Sequence, residues 1–140
     1  MAKTIAILGA TGHQGSGLIH ALLSDPANTN GNAVQVRALT RDTTSQASQA
    51  LQKSYPTSLV LVQTDIFNPS SLRNAFADAD AVFAMTNNRK TGGGKIETED
   101  DMRHELVQGR NIITALKVIP TQYCTQLVWH EYVYDREKQT

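Results

Sequence analysis

A glycine-rich turn near the amino terminus constrains the fold of this sequence more than any other feature. An apolar, β-branched run at residues 4–8 leads into Gly9, Gly12 and Gly15, and four aliphatic residues at helical spacing follow at positions 18, 19, 22 and 23. This pattern predicts a strand, a tight turn and a helix. Gly9 would permit the turn, Gly12 would let an anion approach the backbone amides, and Gly15 would let the helix pack closely on the strand.

The remainder of the chain repeats the same alternation of strand and helix. Further strands are predicted at residues 34–39, 59–62, 81–85 and 126–129. Short connections between alternating strands and helices favour an α/β fold, a doubly wound parallel sheet of the Rossmann-like kind with about five strands in the order 3-2-1-4-5. Ligands of such sheets bind at the carboxyl ends of the strands, at the switch point between strands one and four.

Local signals predict where two of the helices begin, and apolar spacing predicts which faces two of them bury. Asn68 followed by Pro69 predicts one helix start, and Thr98 with Asp101 predicts a capping box at another. Residues 43–54 predict a weakly amphipathic surface helix with only Ala47, Ala50 and Leu51 at helical spacing. The last helix is predicted to end before Pro120. Its predicted buried stripe consists of Met102, Leu106, Gly109, Ile113 and Leu116.

Composition excludes several classes of protein. The 140 residues include 13 Lys plus Arg and 13 Asp plus Glu, so the formal net charge is zero and a nucleic-acid partner is not expected. No apolar run is long enough to span a bilayer and no signal-peptide pattern is present, which predicts a cytoplasmic protein with no membrane partner. The four histidines and the single cysteine, Cys124, show no metal-ligand spacing, so no metal site is predicted.

The glycine turn predicts binding of a dinucleotide, and the residues at the end of strand two indicate whether it is NADP(H) or NAD. The structural context that a dinucleotide fingerprint requires is met, with a strand before the glycines and a helix after them. Arg41, with the hydroxyl of Thr40 nearby, favours NADP(H), because a guanidinium can hold a 2′-phosphate bidentately. The neighbouring Asp42 leaves the opposite preference open, since a carboxylate facing the ribose would favour NAD.

Several segments together resemble the NmrA-like family of atypical short-chain dehydrogenases, over about residues 3 to 117. The resemblance is carried by residues 7–15, 36–42, 62–65, 71–72, 81–87 and 105–113. It implies a Rossmann domain that binds NADP(H) on the glycine turn between Gly9 and Gly15. By position it implies Thr11, Gly12, His13 and Gln14 on the pyrophosphate, Arg41 on the 2′-phosphate, Asp65 and Ile66 near adenine, and Thr86 and Asn87 near the ribose and nicotinamide.

After Lys117 the chain departs from the pattern of that family. We therefore expect residues 1–117 to form the NADP(H)-binding domain and residues 118–140 to form a divergent tail that contains a fifth strand, with the substrate-binding half absent. An open edge of the sheet would invite pairing with a second copy or another protein. Three functions stay open: an NADP(H)-binding sensor or regulator, an NADPH-dependent reductase that acts as an oligomer on a quinone or aromatic natural product, and a non-catalytic interaction protein or truncated remnant.

Overall fold

A parallel sheet with helices on both faces forms the body of the protein. The computed structural model describes residues 2–30, 33–86 and 98–117, and the backbone of residues 123–128. The strands are β1 (Lys3–Leu8), β2 (Val34–Thr40), β3 (Leu59–Gln63), β4 (Ala81–Met85) and β5 (Tyr123–Val128). The helices are α1 (His13–Ser24), α2 (Pro26–Thr29), α3 (Gln46–Ser54), α4 (Pro69–Phe76) and α5 (Glu99–Lys117).

The strand order confirms the predicted doubly wound topology. β1 pairs in parallel with β2 on one side and with β4 on the other, and β3 pairs in parallel with β2. Residues 123–128 add a fifth parallel strand next to β4, so the order is 3-2-1-4-5, and this strand begins three residues before the predicted range of 126–129. The order reverses between β1 and β4, which is where ligands of such sheets bind.

Each face of the sheet has its own apolar cluster. The cluster under α1 and α3 includes Ile7, Ile19, Leu23, Val36, Leu51 and Leu59. The cluster under α4 and α5 includes Leu39, Leu72, Phe76, Val82, Ile112 and Ala115. The inner strands β1 and β4 carry apolar side chains on both faces, as parallel strands covered by helices do. β2 instead alternates apolar and polar residues at its start, and Val60 of the edge strand β3 is exposed. Among the residues described, no helix has the length and apolar character needed to cross a membrane.

Two helix starts have the predicted caps. The side chain of Asn68 accepts hydrogen bonds from the amides of Ser70 and Ser71, at 3.0 and 3.3 Å, and Pro69 occupies the first turn of α4. Thr98 and Asp101 bond reciprocally, amide to side chain, at 3.0 and 3.2 Å. Each cap satisfies amides that have no acceptor within the helix, so local sequence alone defines where these helices begin.

The buried face of α5 differs from the predicted stripe. Leu106 and Ile113 were expected in the core, but they are 42% and 37% exposed, so the prediction is wrong for both. The buried residues are Glu105, Gln108, Gly109, Ile112 and Ala115. Glu105 is buried because it accepts a hydrogen bond from Thr86, at 2.6 Å. Hydrophobic periodicity could not identify this face, because two of its members are polar.

Arg37 ties the sheet to the end of α4. It lies within β2, and its Nη1 donates to the backbone oxygens of Ala75 and Ala77, both at 2.7 Å. Ala75 lies in the last turn of α4 and Ala77 is the residue that follows it, where the helix itself supplies no donor. A charged donor in this position satisfies both acceptors and suits the negative end of the helix dipole.

We expect Arg37→Met to lower the free energy of unfolding by about 1–3 kcal/mol, because it leaves two carbonyls without their donor while keeping an unbranched side chain. Urea unfolding followed by circular dichroism measures the change. Arg73→Met is the matched control, since Arg73 is exposed and, among the described residues, bonds only to the side chain of Ser70. Equal stabilities of the two variants would contradict this role of Arg37.

Candidate functional site

The glycine turn brings the start of α1 against the end of β1. Gly9 has a φ of +73°, in the left-handed region that glycine adopts without strain. A Cβ on Gly15 would lie 2.1 Å from the carbonyl oxygen of Gly9, which no side chain tolerates. A Cβ on Gly12 would lie 3.3 Å from the same oxygen. The backbone of Gly12 is extended, with φ −76° and ψ 170°, so this position requires space rather than unusual torsion angles.

The first turn of α1 presents backbone amides with no acceptor in the helix. The first intrahelical bond runs from the amide of Ser16 to the oxygen of Gly12, at 2.9 Å, so the amides of residues 13–15 precede it. Gly12 occupies the N-cap position and has no side chain that could accept from them. Thr11, Gly12, His13 and Gln14 are exposed, and no acidic residue lies in this turn. The arrangement suits an anion, which the helix dipole also favours.

At the end of β2, the structure distinguishes Arg41 from Asp42. The carboxylate of Asp42 accepts from the amide of Thr44 at 2.8 Å and from its hydroxyl at 2.5 Å. The bonds from the Thr44 hydroxyl and amide hold the pKa of Asp42 below its usual range. Arg41 is exposed and has no hydrogen bond or ion pair with any other described residue. The guanidinium is therefore the charged group available to a ligand here.

Thr40 is engaged within the loop that follows β2. Its Oγ1 accepts from the amide of Asp42 at 3.3 Å and lies 3.3 Å from the hydroxyl oxygen of Ser48. Its backbone oxygen accepts from the amide of Thr64, at 2.8 Å. Thr40 directly precedes Arg41, and its hydroxyl helps to hold the loop together.

The segment after β3 forms the next part of the same edge. Asp65 is exposed; its carboxylate accepts from the amide of Phe67 at 2.9 Å, and its own amide donates to the hydroxyl of Ser71. Ile66 is half-buried against the α4/α5 cluster, and its backbone oxygen accepts from the side chain of Asn111 at 3.1 Å. Both residues predicted near adenine thus lie at the carboxyl end of β3, and α5 holds the segment in place.

Thr86 follows β4 directly and is buried against α5. Its hydroxyl donates to Oε1 of Glu105 at 2.6 Å, and both side chains are buried. Because that bond uses the only hydroxyl proton, the oxygen of Thr86 keeps only acceptor capacity for a ligand. Asn87, predicted beside it, lies outside the described residues.

Sequence reasoning assigned no role to three polar residues that hold these segments: Ser48, Glu105 and Asn111. Each is a helical residue whose partner lies in a loop or at a strand end, between 6 and 45 residues away. Neither helical periodicity nor a short motif reports such a partner. Over the part of the chain that the structure covers, no three His, Cys, Asp or Glu side chains cluster as metal ligands.

Two glycines of α1 differ in the space that surrounds them: Gly15 lies against the backbone of Gly9, and Gly17 has open space around it. Gly15→Ala should lower the free energy of unfolding by about 1–3 kcal/mol, because the added methyl group must displace backbone. Gly17→Ala lies in the same helix with nothing within 4 Å of the added carbon, so it should leave stability unchanged or raise it by up to about 1 kcal/mol. Thermal unfolding of both variants checks this, and a neutral Gly15→Ala would contradict the close approach.

Relatives of known structure share the fold. The triphenylmethane reductase of Citrobacter sp., solved in complex with NADP(H), superposes with a TM-score of 0.62 at 21% identity, over 86% of this chain and 35% of the reductase. The quinone oxidoreductase QOR2 of Escherichia coli, solved with NADPH, gives a TM-score of 0.60 at 24% identity, over 86% and 35%. Likeness at this level of identity shows the fold alone.

Sequence comparison gives the family. The NmrA-like family oxidoreductase FrzB of Cladobotryum sp. is 33% identical over 112 residues, which are 76% of this chain and 30% of FrzB. The oxidoreductase hkm9 of Aspergillus hancockii is 39% identical over 85 residues, which are 61% of this chain and 23% of hkm9. The chain thus spans less than a third of these relatives. The sequence profile of the NmrA-like family matches residues 1–139, and the chain belongs to that family.

Proposed function

We propose that this chain binds NADP(H) along the carboxyl ends of its strands, as the coenzyme-binding part of an NmrA-like oxidoreductase. The observation that carries the proposal is the pairing of two features at neighbouring strand ends. The amides of residues 13–15 at the start of α1 have no acceptor in the helix, and Arg41, which pairs with no other described residue, follows β2. A dinucleotide with a 2′-phosphate offers negative charge to both.

The residues present fit this coenzyme. Gly12 places no side chain at the N-cap of α1, so a diphosphate can approach the amides next to Thr11, His13 and Gln14. Arg41 would hold the 2′-phosphate and Thr40 would fix the loop that carries it. Asp65 and Ile66 would border the adenine, and Thr86, with Asn87 following it, would border the ribose and nicotinamide.

The proposed domain division follows from where these groups lie. All described members of the site fall between Gly9 and Thr86, and α5 supplies the side chains that hold two of its segments. We therefore propose residues 1–117 as the coenzyme-binding domain. Bound NADPH would supply a hydride. The residues of this site bind and orient the coenzyme. The substrate that accepts the hydride would be bound by other residues of the protein or by another subunit.

Reductase activity is favoured over a purely sensory role. The curated relatives are named as oxidoreductases, and two solved structures of the same fold are reductases that hold NADP(H) or NADPH. A sensor would use the same coenzyme contacts without turnover. Hydride transfer from NADPH to a panel of quinones separates the two functions, since a reductase consumes NADPH and a sensor does not.

Arg41→Ala should weaken NADPH binding roughly 10- to 100-fold and leave NADH binding unchanged, because only NADPH carries the 2′-phosphate that the guanidinium would hold. Calorimetric titration of each coenzyme measures both constants. Arg73→Ala, which removes an exposed arginine on α4, should change neither. Wild-type protein that binds neither coenzyme, or an Arg41→Ala variant that loses both equally, would overturn the proposal.

A further inference from the structure

Ser48 lies in the first turn of α3, and its side chain is fully buried. Its Oγ donates to the backbone oxygen of Asp42 at 2.7 Å and accepts from the hydroxyl of Ser45 at 2.8 Å. It also lies 3.3 Å from Oγ1 of Thr40. Residues 43–54 were predicted to bury Ala47, Ala50 and Leu51, but Ala47 and Ala50 are exposed, and Ser48 is buried with Leu51. A polar side chain is therefore buried where an alanine could have filled the space.

The contacts of Ser48 fix the loop that carries the two competing charges. Ser48 holds the backbone carbonyl of Asp42 through a hydrogen bond. The carboxylate of Asp42 accepts hydrogen bonds from the amide and the hydroxyl of Thr44. A second bond, from the side chain of Gln49 to the oxygen of Thr43 at 2.7 Å, anchors the middle of the loop to α3. Arg41 is the charged residue of this loop that takes part in none of these bonds.

The position of Asp42 determines which coenzyme the loop can accept. A carboxylate that turns toward the ribose repels a 2′-phosphate and accepts from a 2′-hydroxyl, so it favours NAD(H). When the carboxylate of Asp42 is bonded to Thr44, it does not face the ribose, and Arg41 is the charged residue that can bind a 2′-phosphate. The sequence contains both residues side by side, and the loop conformation decides between them.

We propose that Ser48 is a specificity-determining positioning residue: it fixes the backbone of Asp42, keeps that carboxylate on Thr44, and leaves Arg41 open to a 2′-phosphate. The proposal rests on the proposed binding of NADP(H) and deepens it. Ser48 itself lies in the core and acts only through the loop. Its removal should therefore change the preference between two coenzymes, rather than the affinity for both.

The test compares Ser48→Ala with Ser54→Ala. Ser54 lies in the same helix, and within the described part of the chain its hydroxyl bonds only to the backbone oxygen of Ala50. Dissociation constants for NADPH and NADH are measured by calorimetry on folded protein. The preference for NADPH should fall at least about tenfold in Ser48→Ala and remain at the wild-type value in Ser54→Ala. A Ser48→Ala variant that weakens both coenzymes by the same factor, or changes neither, overturns the positioning role.

Two further variants keep the test decisive if Ser48→Ala does not fold. Thr44→Ala removes an exposed hydroxyl that holds the carboxylate and leaves Ser48 intact, so it should also lower the preference for NADPH. In an Asp42→Ala background, Ser48→Ala should no longer change the preference, because the competing carboxylate is gone. An unchanged preference in Thr44→Ala overturns the inference alone, whereas wild-type protein without any preference for NADPH overturns the proposed function as well.

Discussion

The contact between the start of α1 and the end of β1 determines what the rest of this structure can do. The two segments approach so closely that the carbonyl oxygen of Gly9 occupies the space where a side chain at Gly15 would begin. This approach aims the first amides of the helix at the edge of the sheet where the strand order reverses. An anion bound there gains hydrogen bonds and the favourable end of the helix dipole together.

Around that contact, polar side chains from the helices hold the segments that follow the strands. Ser48 of α3 fixes the loop after β2, Asn111 of α5 bonds to the segment after β3, and Glu105 of α5 bonds to the residue after β4. These segments border the candidate site but contain no regular structure of their own. Buried and partly buried hydrogen bonds to the helices give these segments a defined position, which a site that must distinguish similar ligands requires.

Much of the architecture could be predicted from the sequence because it depends on local chemistry. The glycine turn, the caps at Asn68 and Thr98, and the apolar strands each follow from neighbouring residues, and the parallel order follows from their alternation. The buried face of α5 could not be predicted, because Glu105 is buried by a bond to Thr86 that sequence spacing does not encode. The competition between Arg41 and Asp42 was equally undecidable until the contacts of Thr44 were known.

The central claim is that the amides at the start of α1 hold the diphosphate of the coenzyme. The most direct measurement is a crystal structure of the protein grown with NADPH. Diphosphate oxygens about 3 Å from the backbone nitrogens of His13 and Gln14 would be the predicted result. Coenzyme bound elsewhere on the protein, or a start of α1 covered by the chain's own residues in the presence of saturating NADPH, would contradict the account.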